Sequence, residues 1–225
     1  CGQCVEACRF DAIRPPGSGG GFCTIDPVLC EGCGVCLQGC PEGACSLHVP
    51  VAGVWMRSEA VTGPMVHARM HPGAENSGKL VSLVRGKGRE IAQQQELPLI
   101  LIDGPPGLAC PVIASLTGTT LVLLVTEPSV TGLHDLERVA KLAQHFALPM
   151  LLVINKATLH PPTAERIRQW AAEQEVPVIG ERTYDGAIVS LQRQGQSAAH
   201  PDSPVRPHLE QIARILLARV DERTA

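Results

Sequence analysis

The chain has 225 residues, 44% hydrophobic and 18% charged, with a formal net charge of -3 at pH 7. Its size allows one ordinary α/β domain plus a small module, and its charge excludes a nucleic-acid surface built on basic residues. No uninterrupted apolar run approaches the roughly 18 residues of a bilayer span, so a membrane-crossing helix is excluded too, and the expectation is a soluble, cytoplasmic protein.

Residues 1–50 carry nine of the ten cysteines. Seven form two tandem runs, Cys1-x2-Cys4-x3-Cys8 and Cys30-x2-Cys33-x2-Cys36-x3-Cys40-Pro41. This is the ligand spacing of a two-cluster bacterial-type ferredoxin, in which the last cysteine of each run ligates the other run's cluster. It predicts two [4Fe–4S] clusters. Cys30, Cys33, Cys36 and Cys8 would hold one, and Cys1, Cys4 and Cys40 the second. That second set is one thiolate short, and its missing member should stand three positions before Cys1, so the chain is expected to be N-terminally truncated. CRFDAI and CPEGAC, after the two runs, read as matching strand starts.

Zinc ribbons and disulfide frameworks also use four cysteines. A ribbon needs two separated pairs per ion, whereas three cysteines at successive x2 spacings crowd a single tetrahedral metal. Disulfides do not suit a chain that otherwise reads as cytosolic. Cys23 and Cys45 fall outside the spacing and read as small buried packing residues. The stretch Pro15 to Gly21 is a flexible connector.

After residue 50 strands and helices alternate, so the expected division is 1–50 for the cluster domain and 51–225 for an α/β domain. Val54–Glu59 and Pro64–Met70 around a Thr62-Gly63 turn read as a hairpin, and Gly78–Gln94 as a helix with Leu80, Val84 and Ile91 on its apolar face. Leu99–Asp103 reads as a buried parallel strand ending in an acid, and Leu121–Thr126 and Met150–Asn155 repeat the pattern around a helix from about Gly132 to Phe146. A helix after Pro162, a short strand at Val178 and Ile179 and a helix over Pro207–Val220 complete the chain. The alternation implies a parallel sheet covered on both faces.

Chemistry in such a sheet belongs at the carboxyl ends of its strands. There Asp103, running into Gly104-Pro105-Pro106-Gly107, suits either a Walker-B acid holding a magnesium-bound water or a capping or turn aspartate. Asn155-Lys156 can either frame a purine base or simply close a strand-end turn. Gly73-Ala74-Glu75-Asn76-Ser77-Gly78-Lys79 matches G-x4-G-K, but Leu80 stands where a magnesium-binding hydroxyl belongs, so its expected role is helix capping through Asn76 or Ser77.

The string LILIDGPPGLACPVIASLTGTTLVLLVTEPSVTGLHDLERV, with VINKATLH and GERTYDGAIVSLQRQGQSA, resembles the MinD/ParA-type P-loop ATPases, specifically those with a two-cluster ferredoxin insert. The resemblance implies a P-loop NTPase-like parallel sheet with a small ferredoxin-like α+β insert. It also implies that a glycine-rich, two-lysine Walker-A loop lies upstream, so ATP and magnesium binding belong to the full-length protein and residues 1–225 alone are not expected to hydrolyse ATP. Asp103 would be the catalytic magnesium-water acid, Gly107 part of the γ-phosphate-sensing loop and Asn155 the base contact. Ala157-Thr158 replaces the family's aspartate after Asn-Lys. Cys110, in the expected switch loop, reads either as a metal-handling thiol at a dimer interface or as a packing cysteine. Two functions follow as alternatives. One is an ATPase, acting as a homodimer or with a paralogue, that couples nucleotide switching to electron transfer or metallocentre maturation on a redox or metalloenzyme partner. The other is a ferredoxin-type electron carrier whose α/β part is a non-catalytic docking domain.

Overall fold

The structure is a computed structural model that describes residues 1–48, 51–60, 63–72, 74, 78–201 and 203–224. It divides into two compact units, Cys1–Asn76 and Ser77–Ala225.

The first unit begins with two short helices, α1 (Gln3–Ala7) and, after β1 (Ile13–Arg14) and β2 (Thr24–Ile25), α2 (Val35–Gln38). β1 and β2 pair antiparallel, Ile13 opposite Ile25. A strand thus follows the first cysteine run, as CRFDAI predicts. The residues after the second run, through His48, form none, which corrects the reading of CPEGAC. β3 (Gly53–Ala60) and β4 (Gly63–Met70) form the expected hairpin, Gly53 opposite Met70 and Ala60 opposite Gly63. The expected turn residue Thr62 lies outside the described residues. The hairpin falls in the cysteine-bearing unit, whose boundary lies at 76/77, where the sequence reading had placed a boundary at 50/51.

The second unit starts with α3 (Gly78–Gln94), which turns Ile91 and Ala92 inward and packs on α4 (Cys110–Leu116). Asn76 and Ser77, the expected caps of α3, lie outside the described residues. β5 (Val122–Thr126), α5 (Val130–His145), β6 (Met150–Ile154), α6 (Pro161–Glu173) and β7 (Val178–Glu181) then alternate, followed by α7 (Gly186–Arg193) and α8 (Arg206–Thr224). The three strands form a parallel sheet in the order β5-β6-β7, so the fold is mixed α/β. Its ladder continues past the strand ends: the Asn155 amide donates to Thr126 O at 2.7 Å and the Arg182 amide to Ile154 O at 2.8 Å.

β6 is central and apolar throughout, and Leu151 to Ile154 are all buried, as a strand covered on both faces requires. Leu124, Leu152 and Ile154 share a core with Leu136 and Ala140 of α5 and Ile167 of α6. Leu152, Ile154 and Ile167 are fully buried, each worth about 1.5–3 kcal/mol relative to an exposed side chain. Ser129 caps α5, accepting the Gly132 amide at 2.9 Å.

Two expectations fail here. Leu99–Asp103 forms no strand, and no described strand pairs with it; Leu101 is 81% exposed. A strand needs a neighbour for its amides and carbonyls, and this run has none among the described residues. The sheet is also not fully covered: Val125 of β5 is 62% exposed despite lying in a wholly apolar run up to Thr126.

Candidate functional site

The two cysteine runs build near-identical local structures. Cys1-Gly2-Gln3-Cys4-x3-Cys8 and Cys33-Gly34-Val35-Cys36-x3-Cys40 superpose in spacing, and each glycine stands just before its helix in the left-handed region, Gly2 at φ 88° and Gly34 at φ 76°. Glycine meets that requirement without steric penalty. Each helix therefore carries one cysteine in its first turn, Cys4 or Cys36, and delivers another at or just beyond its end, Cys8 or Cys40. α1 packs against α2, which brings the two half-repeats side by side.

All ten cysteines are free thiols; Cys1, Cys30 and Cys33 are exposed and Cys4, Cys8, Cys36 and Cys40 half-buried. The Cys40 thiol is held below the usual range, first by the Ala44 amide, which donates to its Sγ at 3.3 Å, then by the Glu42 amide. Amide donation of this kind favours the thiolate that iron ligation requires. Among the described residues no three His, Cys, Asp or Glu side chains gather tightly enough for a single metal ion. The donor set, all sulfur on two adjoining half-repeats, fits the chemistry of iron–sulfur ligation.

Cys23 and Cys45 are not the fully buried residues the sequence predicts. Both are only half-buried, and each stands beside a thiol of the runs, Cys23 by Cys4 and Cys45 by Cys40. Partial burial, then the Cys4 thiol, pushes Cys23 up; burial, then the Cys40 thiol, pushes Cys45 up to about 11. Neither matches the ligand spacing, so sequence alone offered no signal for them.

In the second unit, the exposed Asp103 carboxylate and the carboxyl end of β5, Thr126 and Glu127, line one cleft. Asp103 does not cap α4, whose N-cap is Ala109. Gly107, at φ 95°, and Asn155 are not on the lining. Lys156, at φ 54°, is tied to Glu127 through a 2.6 Å ion pair, so its ammonium is already partnered. Glu127 was legible as an acid directly after an apolar strand, the same signal that singled out Asp103. Cys110 begins α4, where a loop had been expected, and it is exposed, which overturns the packing alternative. Its neighbour Gly78 is closely packed on it: a Cβ there would crowd Cys110 O at 3.1 Å. Of the G-x4-G-K stretch, Gly73, Glu75, Asn76 and Ser77 lie outside the described residues, and Lys79 is exposed. Among the described residues no helix is long and apolar enough to cross a membrane.

No family model matches the chain. It is similar to two uncharacterised proteins of Methanocaldococcus jannaschii, MJ0578 at 31% identity over 69% of this chain and MJ0579 at 21% over 84%. Among solved structures it is similar to the cell-division ATPase MinD of Pyrococcus furiosus, at 23% identity and a TM-score of 0.49, over 65% of this chain and 60% of that one. The chain spans 52% and 63% of the lengths of the two curated relatives it matches.

Proposed function

We propose that this chain is an iron–sulfur protein of the MinD-like ATPase type, whose cysteine unit holds [4Fe–4S] clusters and whose α/β unit belongs to a nucleotide-gated switch serving electron transfer or metallocentre maturation. The observation that carries the reading is the pairing of the two glycine-initiated cysteine half-repeats through α1 and α2. A cluster bound there supplies one-electron chemistry. Cys30, Cys33, Cys36 and Cys8 would bind one cluster, with Cys1, Cys4 and Cys40 contributing to the second. The amides of Ala44 and Glu42 stabilise negative charge at Cys40.

Support for the switch is the resemblance of the stretch from Leu99 through the α5 sequence to MinD/ParA-type ATPases, with Asp103 on the lining of a cleft. Residues 1–225 are not expected to hydrolyse ATP alone: Asp103 can place a magnesium ion but cannot replace a phosphate cradle of amides and lysines. One observation favours the simpler carrier reading for these residues, namely that Lys156, the lysine next to the expected base contact, is paired with Glu127.

Anaerobic iron and sulfide analysis with electron paramagnetic resonance of the reduced protein tests the cluster reading. Iron with matching labile sulfide, and a signal lost in Cys33→Ala, is the expected result; zinc without sulfide sinks it. Calorimetric titration with ATP and magnesium separates the ATPase from the carrier, because a longer chain that includes the upstream sequence should bind nucleotide only under the first reading.

A further inference from the structure

Two thiols of the cysteine unit have no place in the ligand spacing, and both stand against members of one ligand set. Cys45 adjoins Cys40, with Cys36 and Cys4 in electrostatic reach, and Cys23 adjoins Cys4 near the amino group of Cys1. Cys1, Cys4 and Cys40 are the three thiols assigned to the second cluster, so the two extra sulfurs gather at that cluster.

The path of the chain brings Cys45 there. After Pro41 the backbone reverses: the Gly43 amide donates to Cys40 O at 3.2 Å, Gly43 takes φ 57°, and the Ala44 amide donates to Cys40 Sγ at 3.3 Å. The turn folds over the Cys40 sulfur and sets the next side chain, Cys45, half-buried beside it. Residues 43–48 belong to no helix or strand, and Leu47 is 61% exposed. Cys23 is carried in a similar way. It follows Gly20 and Gly21, both at positive φ, and Phe22, which is 92% exposed, and β2 begins only at Thr24. Cys4 and Cys36, by contrast, are fixed within α1 and α2. The spaced ligands are thus set by helices, while the two extra thiols ride on segments that lack this restraint.

We infer that Cys45 is an exchange ligand for the iron that Cys40 holds, and Cys23 for the iron that Cys4 holds. The inference rests on the cluster reading proposed above. In the exchange the Cys45 sulfur bonds to the iron as the Cys40 sulfur leaves it, and the proton of the entering thiol passes to the departing one; no electron is gained or lost. The thiolate is the ligating form, and the sulfur being released is itself the acceptor for the proton that the entering thiol must shed. Adjacency therefore supplies both the ligand and the base. A thiolate that can leave without baring its iron is what handing a cluster to a partner requires.

Anaerobic iron and sulfide analysis of the 225-residue chain, with iodoacetamide alkylation mapped by mass spectrometry, tests the exchange. In the parent Cys40 should be protected and Cys45 alkylated. Cys40→Ala should keep the parent's iron and sulfide and slow the alkylation of Cys45 about tenfold or more, whereas Cys40→Ala combined with Cys45→Ala should lose one cluster, about half of the metal. Cys45→Ala alone should keep the full complement. Cys4→Ala, with Cys23 as the entering thiol, repeats the test at an independent position and stands in for a Cys40 variant that does not fold. A parent without iron and sulfide overturns the cluster reading and this inference with it. A loaded parent whose Cys40→Ala and Cys4→Ala forms lose as much metal as the corresponding double variants overturns the exchange alone. So does retained metal with Cys45 alkylated at the parental rate, and so does metal loss in Cys45→Ala by itself, which makes Cys45 a resident ligand.

Discussion

Gly180 is a position where a single methyl group should report how α8 is seated. An alanine Cβ there would stand 2.7 Å from both Cδ1 and Cγ1 of Ile212, which is 8% exposed in α8. The backbone at Gly180 lies outside the left-handed region, so alanine carries no conformational penalty and the clash is the whole cost. Overpacking of this size costs about 1–3 kcal/mol, or roughly 2–4 °C in Tm per kcal/mol for a chain of this length. Ile212→Ala removes both clashing atoms and should cost about 2–5 kcal/mol by itself through the cavity it leaves. In that background Gly180→Ala should be neutral or slightly stabilising, because alanine narrows the unfolded ensemble. The assay is urea unfolding of the parent, both single variants and the double variant, read as a double-mutant cycle with a coupling energy of about 1–3 kcal/mol. If Gly180→Ala costs the same in both backgrounds, α8 does not rest on β7 through Ile212 and the packing argument is wrong.

Ser129→Ala deletes the cap that accepts the Gly132 amide and should lower stability by about 1 kcal/mol, measured by the urea midpoint, whereas Ser129→Asp should restore it. Hydrogen bonds from the Arg168 guanidinium, at 2.7 and 2.8 Å, hold Glu181 below the usual carboxylate range. A depressed folded value means that the pair stabilises above the unfolded value of about 4.3 and loses its contribution as pH falls through the folded one. Thermal melts of Glu181→Gln should therefore differ from the parent at pH 7 and converge with it below about pH 4; a constant difference across that range contradicts the assignment. Both side chains are more than a third exposed, 39% and 34%, so added salt should shrink the difference. Cys8→Ala and Cys30→Ala lie in different runs but should erase the same resonance signal, because the last cysteine of one run belongs with the first three of the other. Separate losses would reassign the ligand sets.

Local features were legible where the physical cause is local. Cysteine spacing located the two half-repeats, since each run is short and its glycine sits at a fixed offset from its cysteines. The apolar period of α3, the runs of β5 and β6 and the Pro-initiated α6 were readable because each is dictated by nearest neighbours and by burial on one or two faces. Leu99–Asp103 was misread for the opposite reason. Its residues favour a strand, but a strand exists only with a partner, and whether one lies alongside is settled by residues far away in sequence. The same holds for Cys23 and Cys45, whose positions beside Cys4 and Cys40 follow from how loops close around α1 and α2. It holds for α4 as well, where Cys110-Pro111 reads as loop until Val112 and Leu116 find a core to enter. Composition and spacing thus determined where the cysteine half-repeats and the main apolar elements lie. Tertiary structure decided which groups meet: Asp103 shares a cleft with Thr126 and Glu127 and not with Asn155, because β5 occupies the sheet edge that borders the cleft while Asn155 follows the central strand, β6.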